Sequence, residues 1–524
     1  MRQRTTFFHR PESPVDPALL RVVDATLTGP TIEAAREDRV TLGLDELPAA
    51  LARLLADNVH ALHVRWAART AGVELVSPLL STLSPGLHVF YTPTPGASEE
   101  KQDAVCSLLK NAFGQRIDCQ SIGQSFNYLG DDRQTYQFYS DVADCTAFAA
   151  YVKADWCPST ADDGGLCSLQ AEQLDGASAL DLSYDTSSRT LKVTTQWPLA
   201  MWPLYVAAQP GTTRTEIGIM GADMPSTLGP HELGMAGQVA VLGQDDRPKS
   251  VMFAFPSRHR TAAGGASYSA TFTQPTGLHP TLQLRVAPGP PPHHHNPDDG
   301  EFGSCKLHTY LTLPRSIFAD RYQLGDALFL ASKNLTALHH MTQPVDLEAP
   351  DYAVPVWGSA ALIELAPPVG LTEEQQRSSE WTAEIPLHLR YLLPADGGYR
   401  SVEVPYPVVF WACEADKDVQ FTTNPFDRVH VGYDRLFDET TEFWHLKPDP
   451  SLGASTSASS TDALTIPIRV PVLDSSKAQW VNVGTSAAIL LGFSWVLWKL
   501  LSAYLRTGYG RTANAEEAET KKTQ

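Results

Sequence analysis

VNVGTSAAILLGFSWVLWKLLSAY, residues 481–504, is the stretch on which the architecture turns. It carries one charge, Lys499, close to its C-terminal end. About 20 apolar residues cross a hydrocarbon core, so this run spans a bilayer with some tilt. Trp480 and Tyr504 stand at its two ends, where amphipathic rings settle among headgroups. Lys499 can reach the nearer interface along its aliphatic stem. A buried core helix is the alternative, but the run follows a Ser-rich linker and exceeds the usual globular helix length.

Charge on either side gives the orientation. Arg506, Arg511, Lys521 and Lys522 follow the helix, whereas the twenty residues before it hold only Arg469 and Lys477. Positive residues stay cytosolic, which puts 505–524 in the cytosol and 1–480 on the other side. Asn334-Leu335-Thr336, a glycosylation sequon, then falls in the lumen, where glycans are transferred. Lys521-Lys522-Thr523-Gln524 resembles the di-lysine retrieval signal of endoplasmic reticulum membrane proteins. MRQRTTFFHRPESPVDP, at the N-terminus, lacks the apolar core of an ordinary signal peptide, so the C-terminal helix must serve as the signal or another route must operate. The rival topology is a tail-anchored protein facing the cytosol.

Composition suits a folded ectodomain. Among 524 residues, 43% are hydrophobic and 19% charged, enough to bury several cores. Thirty-nine prolines favour strands and turns over long helices. The net charge of −19 repels phosphate backbones and argues against nucleic-acid binding. Seven cysteines include no C-x-x-C pair, which disfavours a zinc ribbon or redox motif; an oxidising lumen allows three disulfides and one free thiol.

Residues 1–260 mix helix and strand. Leu47, Leu51, Leu54 and Leu55 recur at helical spacing between Asp45 and Asp57, and an extended segment runs from His60 to Trp66. Ser98–Phe113 reads as an amphipathic helix capped by Ser98, with Val105, Leu108, Leu109 and Ala112 on one face. Ala179–Trp197 reads as a hairpin turning at Asp185–Ser188. From Cys305 to His445 short strands bounded by Pro and Gly suggest a β-sandwich: Leu307–Leu313, Glu384–Leu393, and Tyr399–Trp411 with an edge or bulge at Pro405 and Pro407. Another strand runs from Leu464 to Leu473.

Catalytic motifs are scarce: there is no G-x-S-x-G, P-loop or G-x-G-x-x-G. His231-Glu232 begins like a zinc-protease helix, but Met235 stands where the second His must bind. His293–His295 lie in a Pro-rich loop without the fixed geometry that a metal needs. Asp416 and Asp418 form a D-x-D, an acidic pair that glycosyltransferases use to hold a metal and a sugar-phosphate; a solvated turn explains it as well. No catalytic, cofactor or metal site is assigned.

Several blocks in order carry a resemblance: Gly277-Leu278-His279-Pro280, Cys305-Lys306-Leu307-His308, Phe318-Ala319-Asp320-Arg321-Tyr322, Asp346-Leu347-Glu348-Ala349-Pro350, Trp357-Gly358-Ser359, Ile385–Tyr391, Phe410-Trp411-Ala412-Cys413 and Asn424-Pro425-Phe426-Asp427-Arg428. Together they resemble the PIG-X family over 277–504, and the long N-terminal region is similar to that of its fungal Pbn-type members. The resemblance implies a lumenal accessory subunit of GPI mannosyltransferase I, which adds the first mannose, with a polytopic PIG-M-like catalytic partner. It supplies no catalytic residues.

The expected plan is a mainly β ectodomain on the lumenal side of the endoplasmic reticulum membrane. It comprises an α+β region (1–260), a sandwich-like PIG-X domain (277–450), a linker and membrane-proximal strand (451–480), a transmembrane helix (481–504) and a cytosolic tail (505–524). Trp357, Phe410 and Trp411 read as core, while His388 and Arg390 point outward from their strand. A disulfide between Cys305 and Cys413 is expected, since both flank the strand-rich region, although five other cysteines compete. Two other functions remain open: a general lumenal chaperone, or a glycosyltransferase or hydrolase using Asp416 and Asp418.

Overall fold

The computed structural model describes all residues except 71–74, 97–98, 131–133, 158–166, 168–170, 209–211, 290–291, 293–304, 343–344, 369–378, 417, 450, 452–462 and 509–524. Two compact units emerge, one of residues 1–391 with 401–468, the other of 392–400 with 469–524.

In the larger unit, the first 256 residues build one twelve-stranded sheet. Its order, by strand, is 249–256, 232–241, 214–222, 2–9, 26–43, 190–207, 179–185, 59–67, 86–93, 136–140 and 127–128, with 21–23 on the side. Thr26–Gly43 and Thr190–Ala207 are long antiparallel partners at the middle of the sheet. Arg2–His9 lies parallel to Arg214–Ala222. Successive side chains on a strand face opposite sides, and here Phe7 and Phe8 are both buried, each in its own apolar cluster. Helices Ala49–Asn58 and Glu99–Phe113 bury Leu51, Leu55, Val105, Leu109 and Ala112 in a further cluster. Leu108 is half-buried, and the Ser98 cap lies outside the described residues.

Residues 259–448 add a six-stranded sheet, ordered 259–261, 441–445, 408–414, 306–314, 358–365 and 335–341, and a four-stranded sheet, ordered 381–386, 281–287, 267–272 and 447–448. The strand Lys306–Pro314 is buried on both faces. His308, Tyr310 and Thr312 turn toward the twelve-stranded sheet, where Thr312 Oγ1 lies 2.8 Å from Ser84 Oγ and Gln137 donates to the Tyr310 hydroxyl. On the four-stranded sheet, 281–287 and 381–386 bury every second residue, the signature of a single covered face. The Tyr268 hydroxyl donates to the Pro407 carbonyl, and the Tyr406 hydroxyl accepts from Ala270 N–H, so the two sheets meet as a sandwich.

Two expected strands break at prolines. Glu384–Leu393 is Trp381–Pro386 followed by the two-residue His388–Leu389, because Pro386 ends the ladder. Tyr399–Trp411 is likewise two strands, Tyr399–Pro405 and Val408–Glu414. The first lies in a two-stranded ribbon and the second in the centre of the six-stranded sheet, so Pro405-Tyr406-Pro407 is a switch between sheets and not a bulge. Arg390, expected to point outward, is buried; its guanidinium lies 4.4 Å from the Phe318 ring centre and donates to the carbonyls of Arg315 and Ala349. The short strand ends at Leu389, so alternation no longer governs Arg390. His231-Glu232 opens a strand, Glu232–Val241, and not a helix.

In the smaller unit, Ala395 N–H bonds to Leu473 O, Val472 N–H bonds to Gly398 O, and Arg469 stacks on Tyr399. The helix Ala478–Thr507 completes it.

Candidate functional site

The candidate functional elements of this chain are the apolar helix and the joint that ties the sheets together. Residues 475–506 are long and apolar enough to cross a membrane, alone in this among the described residues. None of the window's residues is buried against the rest of the chain. Isoleucine, leucine, phenylalanine and tryptophan side chains cover most of its surface, as lipid requires. Gly484, Ala488 and Gly492 follow at four-residue spacing, and a Cβ at either glycine meets nothing within 4 Å. Small residues on such a stripe let a second helix approach closely.

The joint is the segment 421–437. Asn424 Nδ2 donates to Ser257 Oγ, and Phe426 packs edge-on to Phe8 at 5.1 Å beneath the Arg4 guanidinium. Arg428 grips Asp181 through two hydrogen bonds of 2.8 and 2.7 Å and donates a third to Trp66 O. All of these groups are buried or nearly so. A buried pair of this kind strongly resists loss of one partner, since the other charge is left without compensation at about 3–5 kcal/mol. Arg65 joins the same network by donating to Val429 O, and burial lowers its pKa. Asp434 accepts from the N–H groups of His430, Val431 and Gly432, holding the loop closed. The Tyr433 hydroxyl donates to Thr82 O at 2.6 Å. Asp427 is half-buried beside Ser81; burial, with the nearby Asp434 carboxylate adding to it, pushes its pKa up to about 7 against opposing help from Arg258 and Ser81. Sequence reading singled out Asn424–Arg428 but not Asp181, Arg65 or Ser81, which lie hundreds of residues away.

The remaining residues fall as follows. Cys305 and Cys413 form a disulfide, as do Cys106 with Cys119 and Cys157 with Cys167; Cys145 is a buried free thiol. Asn334 sits at a left-handed turn before the strand Leu335–Met341, half-buried, with Nδ2 donating to Thr382 O. Asp416 and Asp418 are both exposed. The Asp416 carboxylate lies 3.3 Å from His231 Nε2, whose Nδ1 bonds to buried Glu442 at 2.9 Å; the Glu442 bond, with Asp416 adding to it, raises the His231 pKa. Asp416 is thus tied into a cross-strand network. Trp357 and Phe410 are buried and Trp411 half-buried, its indole donating to Pro288 O. His388 pairs with His279 and Gln323. The His293–His295 tract and Lys521 and Lys522 lie outside the described residues.

A sequence profile described as PIG-X / PBN1 matches residues 275–501. Protein pbn1 of Neurospora crassa is 45% identical over the whole of both chains, and Protein PBN1 of Gibberella zeae 41% identical over the whole of both. Protein pbn1 of Emericella nidulans is 39% identical across 95% of each chain.

The chain belongs to the PIG-X / PBN1 family.

Membership carries an accessory role in GPI-anchor biosynthesis at the endoplasmic reticulum. The apolar helix and the three disulfides fit a membrane protein with a lumenal ectodomain. The joint and most of the helix lie inside the matched 275–501 region, although the joint's partners Phe8 and Asp181 come from the N-terminal sheet.

Proposed function

We propose that this chain is the non-catalytic stabilising subunit of GPI mannosyltransferase I, holding a polytopic PIG-M-like catalytic subunit in its folded state for addition of the first mannose. The observation that carries the reading is the membrane helix: apolar, unburied, and lined on one side by small residues with open space above them. A lone helix of this kind is built to pack on another membrane protein. Residues 1–480 face the lumen, Asn334 carries a glycan, and Lys521 and Lys522 return the protein to the endoplasmic reticulum. The N-terminal region 1–260 braces the strand-rich region 277–450, the linker 451–480 leads to the span 481–504, and 505–524 is the cytosolic tail.

Binding the folded enzyme and not its unfolded form stabilises it by mass action. Cells lacking this chain should hold less catalytic subunit and accumulate GPI precursors without the first mannose. Overproducing the catalytic subunit should partly restore transfer. Normal abundance of that subunit with transfer abolished sinks the stabiliser reading and points to a direct part in the chemistry.

A further inference from the structure

Three ligand-type side chains meet on the six-stranded sheet, beside the end of the joint at Phe437. The strands Leu335–Met341, Gly358–Leu365 and Lys306–Pro314 lie side by side there. His308 and Glu364 are direct cross-strand partners, so their side chains share a face. The neighbouring ladder slips between Leu338 and His340, leaving His339 as the extra residue of a bulge. Bulges re-aim side chains, and this one brings the His339 ring onto the carboxylate: Nε2 lies 2.6 Å from Glu364 Oε2.

The three groups are oriented as ligands. His308 Nδ1 donates to Lys306 O at 3.0 Å, which leaves its Nε2 lone pair free for a metal. Phe410 and Phe437 hold the His308 ring in place. One donor atom from each of the three residues lies within 4.8 Å of the other two. Donor atoms bound to one zinc ion stand about 3–3.5 Å apart, given bonds of about 2.0–2.2 Å in tetrahedral geometry, so small shifts of the three side chains, with the His339–Glu364 contact opening, seat the ion. Two imidazoles and one carboxylate form a set that zinc takes when it keeps a position for water. His339 is exposed, so solvent and ions reach the site. Lys306 Nζ lies 3.3 Å from the same Glu364 oxygen, but its side chain is 56% exposed and can swing into water.

We propose that His308, His339 and Glu364 bind one divalent transition-metal ion of the zinc class, clamping the three strands at this end of the sheet. The full chain, purified in detergent and stripped with a chelator, should bind one equivalent of zinc sulfate in calorimetry. Cobalt in its place should give the intense visible absorption of a four-coordinate ion. His339→Ala, at an exposed position, and Glu364→Gln, which keeps the side-chain shape, should each weaken binding at least tenfold. Replacing His293, His294 and His295 by Ala should leave it unchanged, separating this site from the histidine tract. The proposal is overturned if the stripped protein binds no stoichiometric zinc, if binding disappears with the histidine tract, or if both single variants bind like the parent. In any of those cases the three residues are an ion-pair cluster with Lys306 only.

Discussion

Asp427 stands in the joint between the sheets with burial pushing its carboxyl up to about 7, against about 4 in an unfolded chain. The folded state therefore holds this proton more tightly than the unfolded state. The resulting stabilisation is complete below pH 4 and is lost as pH rises through 7. Between pH 5 and pH 8 the parent should lose about 2–3 kcal/mol from this group alone. Asp427→Asn, which cannot ionise, should remove that part of the slope. Urea unfolding of both proteins at several pH values checks it, and parallel pH profiles count against the assignment. Little of this was legible beforehand. The block Asn424–Arg428 stood out as a string, but a string does not say what it touches. Its partners Asp181, Phe8 and Ser257 are set by tertiary pairing, which leaves no trace in local spacing. Arg390 misled for the related reason that alternation applies only while a strand continues.

Helix 478–507 is legible to within three residues at each end, because the length of an apolar run is a local property and the bilayer fixes what it must be. Its small-residue stripe gives a clean test. A Cβ at Gly484 or Gly492 has open space, so Gly484→Leu with Gly492→Leu should leave the chain's own ectodomain stability within about 0.5 kcal/mol. Leucines there keep a second helix from close approach, so recovery of the proposed mannosyltransferase partner in detergent pull-downs should fall about tenfold, the effect of losing about 1.4 kcal/mol. Unchanged recovery means that the stripe is not the contact. The strands were harder to read. The hairpin at 179–197 was visible by alternation, yet its second strand continues past Pro198 and Pro203 to Ala207, paired with 26–34. That continuation depends on a partner some 170 residues away.

At the scale of the whole molecule, the proposed lumenal orientation has a direct consequence for sealed microsomes. Added protease should remove only the short tail after residue 507, and glycosidase should shift the mass of the protected fragment by one glycan at Asn334. Digestion of the ectodomain without detergent means that it faces the cytosol. The fold class followed from strands punctuated by prolines, but the sharing of one core by N-terminal and strand-rich regions did not, because Tyr310, Trp357 and Phe410 carry no mark of which sheet they cover. The parallel pairing of Arg2–His9 with Arg214–Ala222 also bears on how the protein is made. A ribosome adds about 5–20 residues per second, so the first strand emerges about 10–40 s before its neighbour exists, and about as long again before Phe426 arrives to cover Phe8. For that first part of synthesis, then, Arg2–His9 keeps one edge unpaired, a template open to any other strand until Arg214–Ala222 arrives to close it.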